Sequence, residues 1–196
     1  DIGMETGVVG LLRGSEDGPT IALRGDIDAL PIQEISNREY KSKIDGVMHA
    51  CGHDGHMAIL LGLTYCLSQL KQKGELRKTV RLIFQHSEEQ VPGGAKPMIE
   101  AGALGDAEMV FGAHLWSSLE VGKVGIRPGV MMAAADRFIL EIQGKGGHGS
   151  MPQQTSDAVL IASQVVQNLQ SIISRNMDPL ESAVVTVGTI NAGTNF

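Results

Sequence analysis

From residue 54 to residue 73 the chain carries no proline and no breaker pair, and apolar side chains recur at helical spacing through Met57, Ile59, Leu60, Leu61, Leu63, Cys66 and Leu70. Lys71, Lys73 and Gly74 supply a C-terminal signal, so the stretch reads as one helix. It is apolar on more than one face and is expected to be mostly buried. Its neighbours decide what it packs on. Residues 20–24 and 79–85 (T-V-R-L-I-F-Q) have the β-branched and apolar content of strands. A second, shorter helix over 93–101, with Pro97 tolerated in its first turn, leads to another strand over 109–115. Parallel strands need crossovers and helices supply them, so strand, helix, strand, helix, strand specifies an α/β fold, a mostly parallel sheet covered by helices. Ahead of it, residues 7–13 are separated from the first of these strands by Gly14-Ser15-Glu16-Asp17-Gly18-Pro19, a dense turn signal that predicts a hairpin.

The pattern starts again after Gly122-Lys123-Val124-Gly125-Ile126-Arg127-Pro128-Gly129. An alternating strand over 137–143, a Gly-rich loop, an amphipathic helix over 157–175 and a strand over 183–190 form a second β-α-β unit, a separate small domain beginning near residue 127. Alone it leaves sheet edges unpaired.

With 42% hydrophobic and 19% charged residues, the 196-residue chain can bury a core. Sixteen Lys+Arg against 22 Asp+Glu give a net charge of -6 without a basic block, which argues against nucleic acid or an anionic membrane as the main partner and favours a small molecule. Two cysteines, Cys51 and Cys66, are too few for a disulfide scaffold, so a reducing, cytoplasmic setting is expected. No apolar run approaches the roughly 18 residues of a membrane span, and no signal peptide opens the chain.

The six histidines fall at positions 49, 53, 56, 86, 114 and 148. The densest cluster, His49-Ala50-Cys51-Gly52-His53-Asp54-Gly55-His56, lies on the loop that opens the long helix. Thiolate and imidazole are borderline-soft ligands suited to zinc, manganese and other first-row ions, and Gly52 permits the tight turn that brings Cys51 and His53 to one ion. Two other readings stay open: a Cys-His nucleophilic dyad, and a small buried thiol among hydrogen-bonded histidines. Glu88-Glu89 follows a strand, where one carboxylate can bind metal while the other holds an attacking water as general base. His114 is a third ligand candidate. Asp26 and Asp28, past another strand end, are placed to orient a ligating imidazole. His148 sits among glycines that would let it swing toward a substrate. Gly144-x-Gly146-Gly147 lacks the spacing of a dinucleotide fingerprint. His53-Asp54 matches an HD-type phosphohydrolase, but that scaffold is all-helical.

Taken together, these motifs resemble the aminoacylase/carboxypeptidase family of co-catalytic-metal amidohydrolases, in its branch of hippurate hydrolases, N-acetyl-amino-acid deacetylases and plant auxin-conjugate hydrolases. The residues that carry the likeness run nearly the length of the chain: Thr6 to Gly10, Leu23 to Pro31, Met48 to His56, Phe84 to Glu89, Pro92 to Ala95, Gly112-Ala113-His114, Gly144 to His148, and Leu169-Gln170 with Ser174-Arg175. The resemblance implies a zinc-peptidase-like catalytic domain over residues 1–126 and the first β-α-β part of a small ferredoxin-like satellite (dimerisation) domain over 127–196. It implies that Cys51, His53, Glu89 and His114 bind two divalent metal ions (zinc, manganese, nickel or cobalt) and that Glu88 is the general base. His148 would stabilise the oxyanion in a partner subunit, so a homodimer is implied. The implied substrates are N-acyl or N-aroyl amino acids or dipeptide-like amides; esters are a neighbouring class. His86-Ser87 departs from the Pro-Ala usual before the Glu pair, which would let His86 perturb the base or add a ligand. Gly193-Thr194-Asn195-Phe196 begins a longer family pattern, so the chain reads as about half of a two-domain enzyme lacking a late histidine ligand. The opposing expectation is a truncated, catalytically silent relative that binds or scaffolds.

Overall fold

The computed structural model describes residues 2–195, which divide into two units, one reaching Asp136 and one from Arg137 onward. The boundary expected near residue 127 lies inside the first unit, in the exposed stretch after its last strand.

The first unit is built on four strands, β1 (Val8–Leu12), β2 (Thr20–Asp26), β3 (Val80–Gln85) and β4 (Ala107–Gly112), in the order β1-β3-β2-β4. Helix α1 (His53–Gln72) joins β2 to β3 and α2 (Ala95–Glu100) joins β3 to β4. β2 pairs in parallel with both β3 and β4, as the alternating pattern requires.

The expected hairpin does not form. β1 pairs antiparallel with β3, Val8 opposite Phe84 and Leu12 opposite Val80, and β3 lies between β1 and β2. The turn instead straddles the start of β3: the Ser15 and Glu16 N–H groups donate to the Leu76 and Arg77 carbonyls at 3.0 and 2.9 Å, and the Gly14 N–H to Thr79 Oγ1 at 3.2 Å. A turn signal fixes a reversal of the chain, not which strands pair. Here the more buried β2 takes two parallel partners and the half-exposed β1 takes the edge.

Alternation along the central strands sends side chains to both faces of the sheet. On one face Leu60 of α1 packs with Leu76, Val80 and Leu82, flanked by Leu12, Leu23, Leu67 and Phe84; on the other Met98 of α2 packs with Ala22, Ile83 and Ala103. Each of the larger side chains contributes about 1.5–3 kcal/mol when fully buried. α1 spans the expected residues but is not mostly buried. Only His53, His56 and Leu60 are, while Ile59, Leu61, Leu63, Tyr65 and Leu70 are exposed, because the helix meets the sheet along one side only.

In the second unit, Asp157 caps α3 (Ala158–Ser171) by accepting from the Val159 and Leu160 N–H groups at 2.9 and 3.0 Å, and a π-helical turn, Ile172–Asn176, continues it. The strands expected over 137–143 and 183–190 form no ladder among the described residues. An isolated Lys145–Ser156 bridge is the pairing present there. A strand exists only with a hydrogen-bonded partner, which alternation in one segment cannot supply. No helix among the described residues is long and apolar enough to cross a membrane.

Two glycines separate the roles of space and propensity. Nothing lies near a Cβ added at Gly62 in α1, whereas one at Gly94 would overlap the His86 carbonyl. Gly62→Ala is expected to raise the unfolding free energy by about 0.5–1 kcal/mol and Gly94→Ala to lower it by about 1–3 kcal/mol, read by urea denaturation.

Candidate metal centre

α1 and α2 cover opposite faces of the sheet, so the chain leaves the carboxyl ends of the adjacent strands β2 and β3 in opposite directions. A crevice opens at such a switch point. Asp26 ends β2 and Asp28 lies just beyond it; Glu88 and Glu89 follow β3. Ser87, at φ 52 in the left-handed region, turns the chain out of β3, and its carbonyl accepts from the Gly94 N–H at 2.8 Å. Across the crevice α1 begins at Gly52, whose φ of 85 favours glycine and whose added Cβ would press on Leu115 Cβ at 3.3 Å. This turn places Cys51 just ahead of the helix, while His53 and His56, one turn apart, share its buried face at 1% and 3% exposure.

The hydrogen bonds fix the imidazole protons. His53 Nδ1 lies 2.9 Å from the Asp28 carbonyl and 3.1 Å from its Oδ1, both acceptors, so Nδ1 carries the proton and Nε2 presents a lone pair. His114 Nδ1 lies 2.6 Å from the Leu115 carbonyl, which leaves its Nε2 unprotonated, 3.6 Å from Cys51 Sγ. Asp28 also reaches the other side of the crevice, its Oδ2 accepting from the Glu89 N–H at 3.0 Å.

His53 Nε2 and Glu89 Oε1 are buried without a hydrogen-bond partner, 3.6 Å apart. Asp26 Oδ2 and Glu88 Oε2 stand 3.7 and 3.9 Å from the same nitrogen, too far to bond to it. Donors about 2.0–2.3 Å from a tetrahedral ion stand roughly 3.3–3.7 Å from one another. The His53–Glu89 and Cys51–His114 separations therefore fit donors around a cation. His53 belongs to three clusters whose ligand atoms lie within 4.8 Å of one another: with Cys51 and His114, with Glu88 and Glu89, and with Asp26 and His56.

The electrostatics agree. Burial, then hydrogen bonding to Glu89 and the charges of Glu89, Glu88 and Asp26, push the Cys51 thiol up to about 11. Burial also acts against the charged forms of Asp26 and Asp28, yet both carboxyls are held below their usual range, Asp26 by His56, Arg24 and His53 and Asp28 by the Glu89 and Glu88 backbone N–H groups and His53. Carboxylates crowd a thiol that only a cation would ionise near neutrality.

The crevice thus gathers Cys51, His53, Glu88, Glu89, His114, Asp26 and Asp28, all singled out in the sequence. His148 lies in the second unit, where its Nδ1 accepts from the Ser150 N–H at 3.2 Å. His86 joins none of the clusters; its ring sits beside Gly7 and Gly94, with Nδ1 2.9 Å from Ser87 Oγ. His49 and His56 carry no individual role in the sequence reading, although His53 and His56 at helical spacing signal two imidazoles on one face.

Comparison with known proteins identifies the family of the chain. The pattern of the peptidase family M20/M25/M40 matches residues 22–196. The N-acyl-L-amino acid amidohydrolase of Geobacillus stearothermophilus is 54% identical over 190 residues, 97% of this chain and 51% of the relative; thermostable carboxypeptidase 2 of Saccharolobus solfataricus is 47% identical over 194 residues, 98% of this chain and 49% of the relative. The chain spans about half the length of these relatives. A crystal structure of the Bacillus subtilis YXEP protein, a dinuclear metal-binding peptidase of the M20 family, superposes with a TM-score of 0.60 at 48% identity over 65% of this chain and 35% of that one. A matching sheet, a matching sequence pattern and a crevice of metal-ligating side chains converge: the chain belongs to peptidase family M20/M25/M40.

Proposed function

We propose that this is a metal-dependent amidohydrolase that cleaves the amide of N-acyl or N-aroyl amino acids, or of dipeptide-like substrates. One observation carries the reading: His53 Nε2 and Glu89 Oε1 are buried, unpartnered and 3.6 Å apart, in a crevice that also holds Cys51, His114 and Glu88. The N-acyl-L-amino acid amidohydrolase and carboxypeptidase relatives support the substrate class.

In this reading Cys51, His53, Glu89 and His114 hold two divalent ions of the zinc, manganese, nickel or cobalt class. When bound, such ions lower the pKa of the attacking water and polarise the scissile carbonyl. Glu88, 42% exposed at the crevice mouth, takes the proton from that water and returns it to the leaving amine nitrogen. Asp28 keeps the proton of His53 on Nδ1, so its lone pair stays turned inward. His148, flanked by glycines, donates an imidazole N–H to the developing oxyanion of a partner subunit in a homodimer.

Glu88→Gln is expected to lower kcat on N-acetyl and N-benzoyl amino acids by at least about 100-fold while metal content by atomic emission stays unchanged; unaltered turnover with no bound metal overturns the proposal. Because the free thiol titrates near 11, Cys51 is protonated at neutral pH, and ligation displaces its proton. Zinc uptake is therefore expected to release a proton, and affinity to rise with pH between about 6 and 8. Titration calorimetry in buffers of different ionisation enthalpy reads the proton, and Cys51→Ala removes it.

A further inference from the structure

The three clusters around His53 do not have equal standing. In the one formed with Asp26 and His56, no lone pair of His56 is left for an ion: its Nδ1 lies 2.5 Å from Asp26 Oδ1, and its Nε2 accepts from the Leu115 backbone N–H at 2.8 Å. With a carboxylate at one nitrogen and an N–H donor at the other, the ring is fixed as the neutral Nδ1–H tautomer. His56 is 3% exposed and Asp26 1%, so the bond between them is made away from water, where losing a partner is costly, while the bond from the half-exposed Leu115 is partly buried.

The two ends of this ring join β2 to the chain beyond β4, past the last β2–β4 ladder pair, Arg24 opposite Gly112. Asp26 is the last residue of β2, its other oxygen held by Arg24 Nη1 at 2.8 Å, while Arg24 Nε donates to Gln85 Oε1 of β3 at 2.9 Å. Leu115 follows β4 in an exposed segment and is next to His114, whose ring closes on the Leu115 carbonyl and packs edge-on against His56, centroids 4.6 Å apart. Leu115 also lies over Gly52 and Gly55 at the start of α1, so the strut and this contact hold the same residue.

We infer that His56 is a positioning residue: it ties the rigid end of β2, through Asp26, to the backbone beside His114 and so sets where His114 meets Cys51. The inference rests on the metal-centre reading of the previous subsection. An outer partner of this kind is expected to change metal affinity by about 10–100-fold when lost.

The test uses two variants and one direct measurement on the full chain. Asn at position 56 can keep a donor toward Asp26 but does not reach Leu115, whereas Gln extends an acceptor to about the distance of Nε2. His56→Asn is expected to weaken cobalt binding at the Cys51–His114 side by about 10–100-fold and to alter the d–d bands of the cobalt protein, while His56→Gln restores most of both. In the unsubstituted protein, nitrogen NMR of the imidazoles is expected to show the Nδ1–H tautomer for His56, and the Leu115 amide to exchange slowly with solvent. Wild-type cobalt affinity and spectrum in His56→Asn overturn the inference, as does metal bound at His56 Nε2 or a fast-exchanging Leu115 amide. If the unsubstituted chain takes up no cobalt or zinc, the metal-centre reading fails instead, and the Leu115 amide still decides whether the strut exists.

Discussion

Asp28 holds together the two sides of the crevice. One oxygen and its own carbonyl face His53 Nδ1, and the other oxygen accepts from the Glu89 N–H. A single residue past the end of β2 therefore sets the tautomer of His53 at the start of α1 and the backbone of Glu89 past β3. The local chain makes this possible: Ile27 N–H bonds to the Gln85 carbonyl at 2.9 Å, extending the β2–β3 pairing beyond the strands and holding Asp28 next to the Glu pair. Without that registry the carboxylates would be an acidic surface turn with no common target.

The same arrangement concentrates negative charge. Asp26, Asp28, Glu88 and Glu89 converge around one imidazole and one thiol, and among the described residues Arg24, at Asp26, is the cation hydrogen-bonded to this group. Backbone N–H groups and imidazole N–H donors keep the two aspartates ionised despite burial, while the thiol, which has no such donors, is driven toward its neutral form. Acceptors thus outnumber donors in the crevice, an imbalance that a bound cation would correct.

Much of this was legible in the residues. The α1 stretch, the three parallel strands and α2 follow from periodicity and breakers, and the ligand types announce themselves by clustering at strand and helix ends. Pairing was less legible. The Gly14 to Pro19 turn is as strong a hairpin signal as sequence offers, yet its N–H groups bond to Leu76 and Arg77, a partnership set some sixty residues away by the edge left open on β3. α1 is less buried than its apolar content suggests, because apolar residues all round a helix do not say how many neighbours reach it. The role of His56 is illegible in the sequence for a related reason: its partners, Asp26 and the Leu115 backbone, are brought to it only by the assembled sheet.

The order β1-β3-β2-β4 has a consequence for how the centre comes into being. The candidate donors sit at or beyond the ends of β2, β3 and β4 and at the start of α1, so Glu88 and Glu89 and His114 are brought to the others through parallel pairings of high sequence separation. Such pairings pay loop-closure entropy before any contact rewards them and form late. A metal ion taken up there would meet a completed crevice rather than a template in the unfolded chain. Its binding free energy would then be added to the folded state as a whole, making the ion a latch on the entire sheet.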